Sequence, residues 1–212
     1  MGSSTCLADP GAPVVIDTSA AINLIATGCA SGIIQALPNR LLAVDAVAAE
    51  LEEGRRRGKF DATLLDELIL ARNIEIVSLG DRSCQTFEEL VVGRAAVTLD
   101  DGEAATIAYA AEHDAIPIID ERKASRICGE RYPALRLGCS VDLFLHPNVV
   151  DALGLVRLAE AVLNALQKAR MRIPPRHLEW VVGLIGAEKA AQCRSLPRAA
   201  RCSTSSLLDG GE

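Results

Sequence analysis

The chain is poor in aromatic residues: three Phe, two Tyr and one Trp, 3% of its 212 positions. A hydrophobic core must therefore be built from Ala, Val, Leu and Ile. Cysteine is present without a pattern. The seven cysteines stand at 6, 29, 84, 128, 139, 193 and 202, none forms a C-x-x-C pair, and the count is odd. That spacing supports neither a zinc site nor a disulfide framework, and it fits reduced thiols in a cytoplasmic protein. Positive charge is not in excess either. The net charge is −6, which excludes a broad nonspecific grip on nucleic acid but leaves room for a local basic patch or an acidic site that recruits a metal. No basic stretch precedes the first apolar residues, so a secretory signal is not supported. The apolar-rich stretch from Ala20 to Leu37 is interrupted by Asn23, Thr27, Ser31 and Gln35, and no uninterrupted membrane span is visible. No G-x-G-x-x-G follows the first strand, which argues against a dinucleotide site. The histidines, His113, His146 and His177, are scattered without ligand spacing and read as structural. There are no internal repeats.

What is present is an alternation of strands and helices from residue 13 to about 145. Val14-Val15-Ile16 is a β-branched run bounded by Gly11 and Pro13, the pattern of a buried strand. Arg40–Val44, Ile74–Leu79 and Ile116–Ile119 are further strands, with Arg136–Gly138 as a short last one. Helices are expected at Ser19–Ala26, Ser31–Leu37, Asp45–Glu53 with Gly54 ending it, Asp61–Arg72, Arg82–Val92, Ala104–His113, Arg122–Cys128 and Val141–Leu145. The fold class is α/β, a mostly parallel sheet flanked by helices in three layers, with a C-terminal helical extension. Residues 1–12 read as a disordered leader, 13–147 as the domain, 148–194 as the extension packed on it and 195–212 as a disordered tail. In the extension, Leu153, Val156, Leu163 and Leu166 form an apolar stripe. A second apolar face (Leu178, Val181, Val182, Ile185) flanks Trp180 and reads as core, or as a surface for a homodimer or another protein partner.

The chemistry lies in the acids. Asp17 follows the first strand and Asp120 follows Ile116–Ile119. Glu50 lies in the first turns of the helix after the second strand, and Glu103 in the first turn of the helix before the Asp120 strand. Ligands of open parallel sheets bind beyond the strand C-termini, where these acids can converge. Each has a plainer reading. Asp17 and Asp120 can cap the helices that follow them. Glu103 has capping-box spacing from Asp100, Asp101 competes with Glu103, and Glu50 can be an ordinary exposed helix acid. Together, carboxylates in one cleft repel one another unless a hard cation such as Mg²⁺ or Mn²⁺ sits between them. Such a site suits metal-assisted phosphodiester hydrolysis. The cations Arg55, Arg56, Arg57 and Lys59, and Arg122 and Lys123, are candidates to guide a phosphodiester backbone. The first group also reads as a solvated helix end complementing the helix dipole.

Four segments, in order, resemble the PIN-domain family, in particular the toxin ribonucleases of toxin–antitoxin pairs. Val-Val-Ile-Asp-Thr-Ser at 14–19 resembles the opening strand with its Asp-x-Ser. Ala-Val-Ala-Ala-Glu at 46–50 resembles the segment with the second acid. Asp-Gly-Glu-Ala-Ala-Thr-Ile-Ala at 101–108 is similar to the Gly-Glu-Ala helix start of one subgroup, and Ile-Ile-Asp-Glu-Arg-Lys-Ala at 118–124 resembles its last motif. The resemblance implies a Mg²⁺- or Mn²⁺-dependent endoribonuclease with Asp17, Glu50, Glu103 and Asp120 on the acidic positions and Ser19 on the small polar position. Asp17, Glu103 and Asp120 then hold the metal, directly or through water, and Glu50 helps to position it or the attacking water. Glu121 stands where Asp is more usual, so both Asp120 and Glu121 are candidates for the metal. The partners implied are an RNA substrate and an antitoxin protein, with no membrane. Two other readings remain: an inactive PIN-like module that binds RNA or protein, and a phosphotransferase or phosphatase with Asp17 as nucleophile. The latter commonly carries a second Asp where Ser19 stands here.

Overall fold

Four short aliphatic runs make the sheet: β1 (Val14–Ile16), β2 (Leu41–Val44), β3 (Glu75–Val77) and β4 (Ile116–Ile118). All pair in parallel, in the order β3-β2-β1-β4. The computed structural model describes residues 6–56 and 61–201. Strands β1, β2 and β4 are buried throughout, whereas β3, at one edge, is partly exposed. This matches apolar runs covered on both faces. Pro117 is accommodated because β4 lies at the other edge, beyond which, among the described residues, only Gly138 forms a bridge with Ile118. The strand expected at Arg136–Gly138 is reduced to that single bridge.

The helices are α1 (Thr18–Ala26), α2 (Ala30–Ala36), α3 (Asp45–Arg56), α4 (Asp61–Leu70), α5 (Asp81–Val91), α6 (Asp101–His113), α7 (Arg122–Arg131), α8 (Ser140–Phe144), α9 (Pro147–Asn164), α10 (Leu178–Ile185), α11 (Ala187–Gln192) and α12 (Arg198–Arg201). Gly54 does not end α3. The helix runs on to Arg56, with Asp45 in its first turn and Arg55 and Arg56 in its last, charges that complement the helix dipole at both ends. Among the described residues, no single helix is long and apolar enough to cross a membrane.

One hydrophobic cluster joins the sheet to the C-terminal helices. It contains Val14, Ile16, Leu24 and Ile33 together with Val149, Leu158, Val162, Leu166, Val181 and Ile185. It also takes in Leu7 and Leu196, from segments read as disordered. Apolar side chains in both flanks find a place in the core, so order extends over 6–12 and 195–201. Residues 1–5 and 202–212 lie outside the described residues. The stripe on α9 is also corrected. Val156 is 76% exposed, because Gly154 leaves the helix with φ 70° and ψ 157° and shifts the phase of the residues after it.

Candidate functional site

The sheet register brings two of the acids together. Ile16 is paired with Ile118, and the Asp17 N–H donates to the Ile118 carbonyl at 3.2 Å. Asp17 and Asp120 thus leave neighbouring strands at the same edge. Asp17 also caps α1: its Oδ1 accepts from the Ala20 N–H at 2.7 Å. Its other oxygen, Oδ2, is fully buried with no hydrogen-bond partner. Burial, followed by the charges of Asp120, Glu103 and Glu50, holds the Asp17 carboxyl well above the usual carboxylate range, against the opposing bond from Ala20. The cap and the acidic site are one residue with two oxygens in different roles.

Glu103 enters from the first turn of α6. Its Oε2 accepts the Asp100 N–H at a long 3.4 Å, so the capping bond leaves much of the carboxylate for the cleft. The residue is 9% exposed, and burial pushes its carboxyl up to about 7, with Asp100 and Glu121 adding to the effect and Lys123 opposing it. Glu50, exposed on α3, accepts a hydrogen bond from the Thr18 hydroxyl. Asp17, Thr18, Ser19, Glu50, Asp100 and Glu103 line a cleft of about 450 Å³. Asp101 does not line it. It is exposed, and the helix turns it away from the face that Glu103 occupies.

Asp120 is held differently. Its Oδ1 accepts the Ser140 N–H at 2.9 Å, and its Oδ2 accepts from Asn23 Nδ2 at 2.7 Å and from the Ser140 hydroxyl. Burial raises its carboxyl, and the Ser140 and Asn23 bonds offset part of that rise. Asp120 opens into an adjoining hollow of about 280 Å³ with Ser19, Glu121, Arg170 and Arg172. Glu121 caps α7 by accepting from the Lys123 N–H and lies 3.3 Å from Arg172 Nη1. Of the expected cations, Arg122 is exposed and lines a third hollow, and Lys123 Nζ donates to the Ala95 carbonyl at 3.4 Å. Arg55 is paired with Glu52 at 2.7 Å and Arg56 with Glu53 at 3.4 Å, and neither lines the cleft. Arg57 and Lys59 lie outside the described residues.

Sequence reasoning missed Gly102, Thr18 and the pair that fixes Asp120. A Cβ on Gly102 would stand 2.5 Å from Thr18 Oγ1 and 2.6 Å from Glu50 Oε2. Glycine is needed so that the start of α6 can close on the Thr18–Glu50 contact. The Gly-Glu step at 102–103 was the available signal. Nothing in the local pattern marks Asn23 or Ser140.

The donors around Asp17 fit a hard divalent cation. They are oxygens, they repel one another, and one buried carboxylate oxygen has no partner. A second set, Cys139, Asp142 and His177, has ligand atoms within 4.8 Å of one another but does not fit a metal. Arg176 Nη2 lies 3.0 Å from Asp142 Oδ2 and 3.6 Å from Cys139 Sγ, so a guanidinium already supplies the positive charge. Burial, with the Asp142 charge next, also pushes the Cys139 thiol up, away from the thiolate a metal needs.

The family model DUF3368, described as a PIN domain, matches residues 13–187. No curated protein and no solved structure gives a match.

Proposed function

The chain belongs to the PIN-domain family, whose fold is of the nuclease type, and from that premise we propose that it is a metal-dependent endoribonuclease. The observation that carries this reading is the fully buried, unpartnered Oδ2 of Asp17, in the field of Asp120, Glu103 and Glu50. Asp17 and Glu103 would hold a Mg²⁺ or Mn²⁺ ion, with Asp120, fixed by Ser140 and Asn23, joining them directly or through water. When bound, such an ion stabilises the developing charge on the phosphoryl oxygens. Glu50, fixed by the Thr18 hydroxyl, orients the attacking water. Water adds to phosphorus, the P–O ester bond breaks, and the leaving oxygen takes up a proton. Ser19, at the junction of the cleft and the Asp120 hollow, is placed to hydrogen-bond the substrate.

The test is cleavage of single-stranded RNA with Mg²⁺ or Mn²⁺. The wild-type chain cleaves and Asp17→Asn does not. Equal rates for the two overturn the metal-site reading. The finer role, the toxin of a toxin–antitoxin pair acting in the cytoplasm, rests on the subgroup motifs at 101–108 and 118–124. Induced expression then arrests growth, and the Asp17→Asn chain does not.

A further inference from the structure

Beyond the acidic cleft, the three hollows form a row. The first, with Asp17, Glu50 and Glu103, shares Ser19 and Ile22 with the second, which holds Asp120, Glu121, Arg170 and Arg172. The second shares Asp120 and Arg172 with the third, about 440 Å³, which adds Arg122 and Arg176. Charge changes along the row, from carboxylates with no lining cation among the described residues to a mixture and then to three arginines around Asp120.

Apart from Arg122, at the start of α7, the arginines of the positive end come from one segment, 170–176. It follows a π-helical turn, Ala165–Ala169, and Arg170 reverses the chain in the left-handed region at φ 56°. Burial then alternates: Met171 and Ile173 sit in the core, and Arg170 and Arg172 are exposed. The Met171 N–H donates to the Ala165 carbonyl at 3.1 Å. At the far end, Asp142 fixes Arg176 at 3.0 Å and His177 at 3.0 Å. The segment is therefore a strap fastened at both ends and in the middle, with its arginines held toward the hollows. A fastened strap loses less side-chain and backbone freedom on binding than a free loop.

We propose that this strap binds the phosphates of the RNA strand as it leaves the acidic cleft, with Arg170 and Arg172 as the principal contacts and the Arg172–Glu121 pair opening to admit a phosphate. The assignment rests on the ribonuclease reading for its ligand. Arginine suits the task because its planar fork takes two phosphate oxygens at once. On this reading Glu121 competes with the phosphate for Arg172.

The test is fluorescence anisotropy of a labelled single-stranded RNA oligonucleotide of mixed sequence, in EDTA, over a salt series. Without metal there is no turnover, so the strap is read apart from the cleft; cleavage with Mn²⁺ reads the cleft separately. The Arg170→Ala/Arg172→Ala chain is expected to bind roughly tenfold more weakly. Its slope of log affinity against log salt becomes shallower by about 1.4, the value for two phosphate contacts on a single strand. Glu121→Gln frees Arg172 and tightens binding, a gain that a merely structural role for the pair does not produce. Arg55→Ala/Arg56→Ala leaves both affinity and slope unchanged. The proposal is overturned if the Arg170/Arg172 double variant keeps the wild-type slope, if Glu121→Gln weakens binding, or if an acidic peptide of equal charge displaces the RNA as well as unlabelled RNA does. Loss of Mn²⁺-dependent cleavage with intact RNA binding would count against the nuclease reading and not against the strap.

Discussion

Two buried aspartates, Asp17 and Asp142, are 0% and 1% exposed and have opposite surroundings. Asp142 accepts from the Cys139 N–H at 2.8 Å and faces Arg176 and His177 at 3.0 Å each. Asp17 has one backbone donor, three acids in its field and, among the described residues, no neighbouring cation. Residue type alone would nominate both places as metal sites, since each gathers ligating side chains. Charge balance separates them: Asp142 is matched by Arg176 and His177 within the chain, whereas Asp17 lies among other acids with one oxygen unpartnered. A buried charge without compensation is costly, so a fold that retains one has a use for it.

The comparison can be broken in four ways, in falling order of effect. In Mn²⁺-dependent RNA cleavage, Asp17→Asn is expected to cost roughly a thousandfold, several kcal/mol of lost charge stabilisation, and Asp142→Asn about tenfold at most. Comparable losses would erase the distinction. The second concerns pH. The Glu103 carboxyl is raised from 4.5 to about 7, so the native state binds more protons than the unfolded chain across that window. The metal-free protein is then most stable below pH 4.5 as far as this group is concerned, and it loses that contribution as pH rises through about 7. Glu103→Gln should remove this group's share of the slope, leaving those of Asp17 and Asp120, and stabilise the metal-free protein at pH 8 by on the order of 1–3 kcal/mol, read as denaturant midpoints in EDTA at several pH values.

Third, the two Asp→Asn changes should shift stability in opposite directions in EDTA. Asp142→Asn lowers it by about 2 kcal/mol, through lost bonds to charged partners. Asp17→Asn raises it, since asparagine keeps the cap on Ala20 and removes the uncompensated charge. Adding Mn²⁺ should raise the melting temperature of the wild type and not of Asp17→Asn. The smallest effect is expected of Gly102→Ala. Its Cβ, 2.5 Å from Thr18 Oγ1, pushes α6 from the Thr18–Glu50 contact at a cost of about 1–2 kcal/mol. An alanine chain as stable and active as the wild type would show that the close approach is not needed.

The sheet was legible because its strands are dense β-branched and aliphatic runs, and the acids at β1 and β4 were legible because parallel strands deliver their ends to one edge. Glu103 was legible through its place in a helix start. The partners of those acids were not. Asn23 and Ser140 reach Asp120 from 97 and 20 positions away, and isolated polar residues carry no periodicity. The strap went unread for a related reason. Arg170 and Arg172 are ordinary surface arginines until Met171 and Ile173 are seen to fasten the backbone between them. The basic residues at 55–56 attracted notice as a run, yet they spend their charge on the acids of their own helix turn.

The sheet order has a consequence for synthesis. Of the described strands β1 emerges from the ribosome before the others, but its second neighbour, β4, begins at Ile116. Asp120 is not fixed until Ser140 follows, and the strap comes later still, at 170–176. A growing chain therefore carries Asp17 and Glu50 for most of its elongation without the walls that make them a cleft. Prematurely terminated products ending before α6 lack the site altogether. Pairing of this kind, between segments a hundred residues apart, is slow to form, so the cleft takes shape only after β4 and Ser140 have been made.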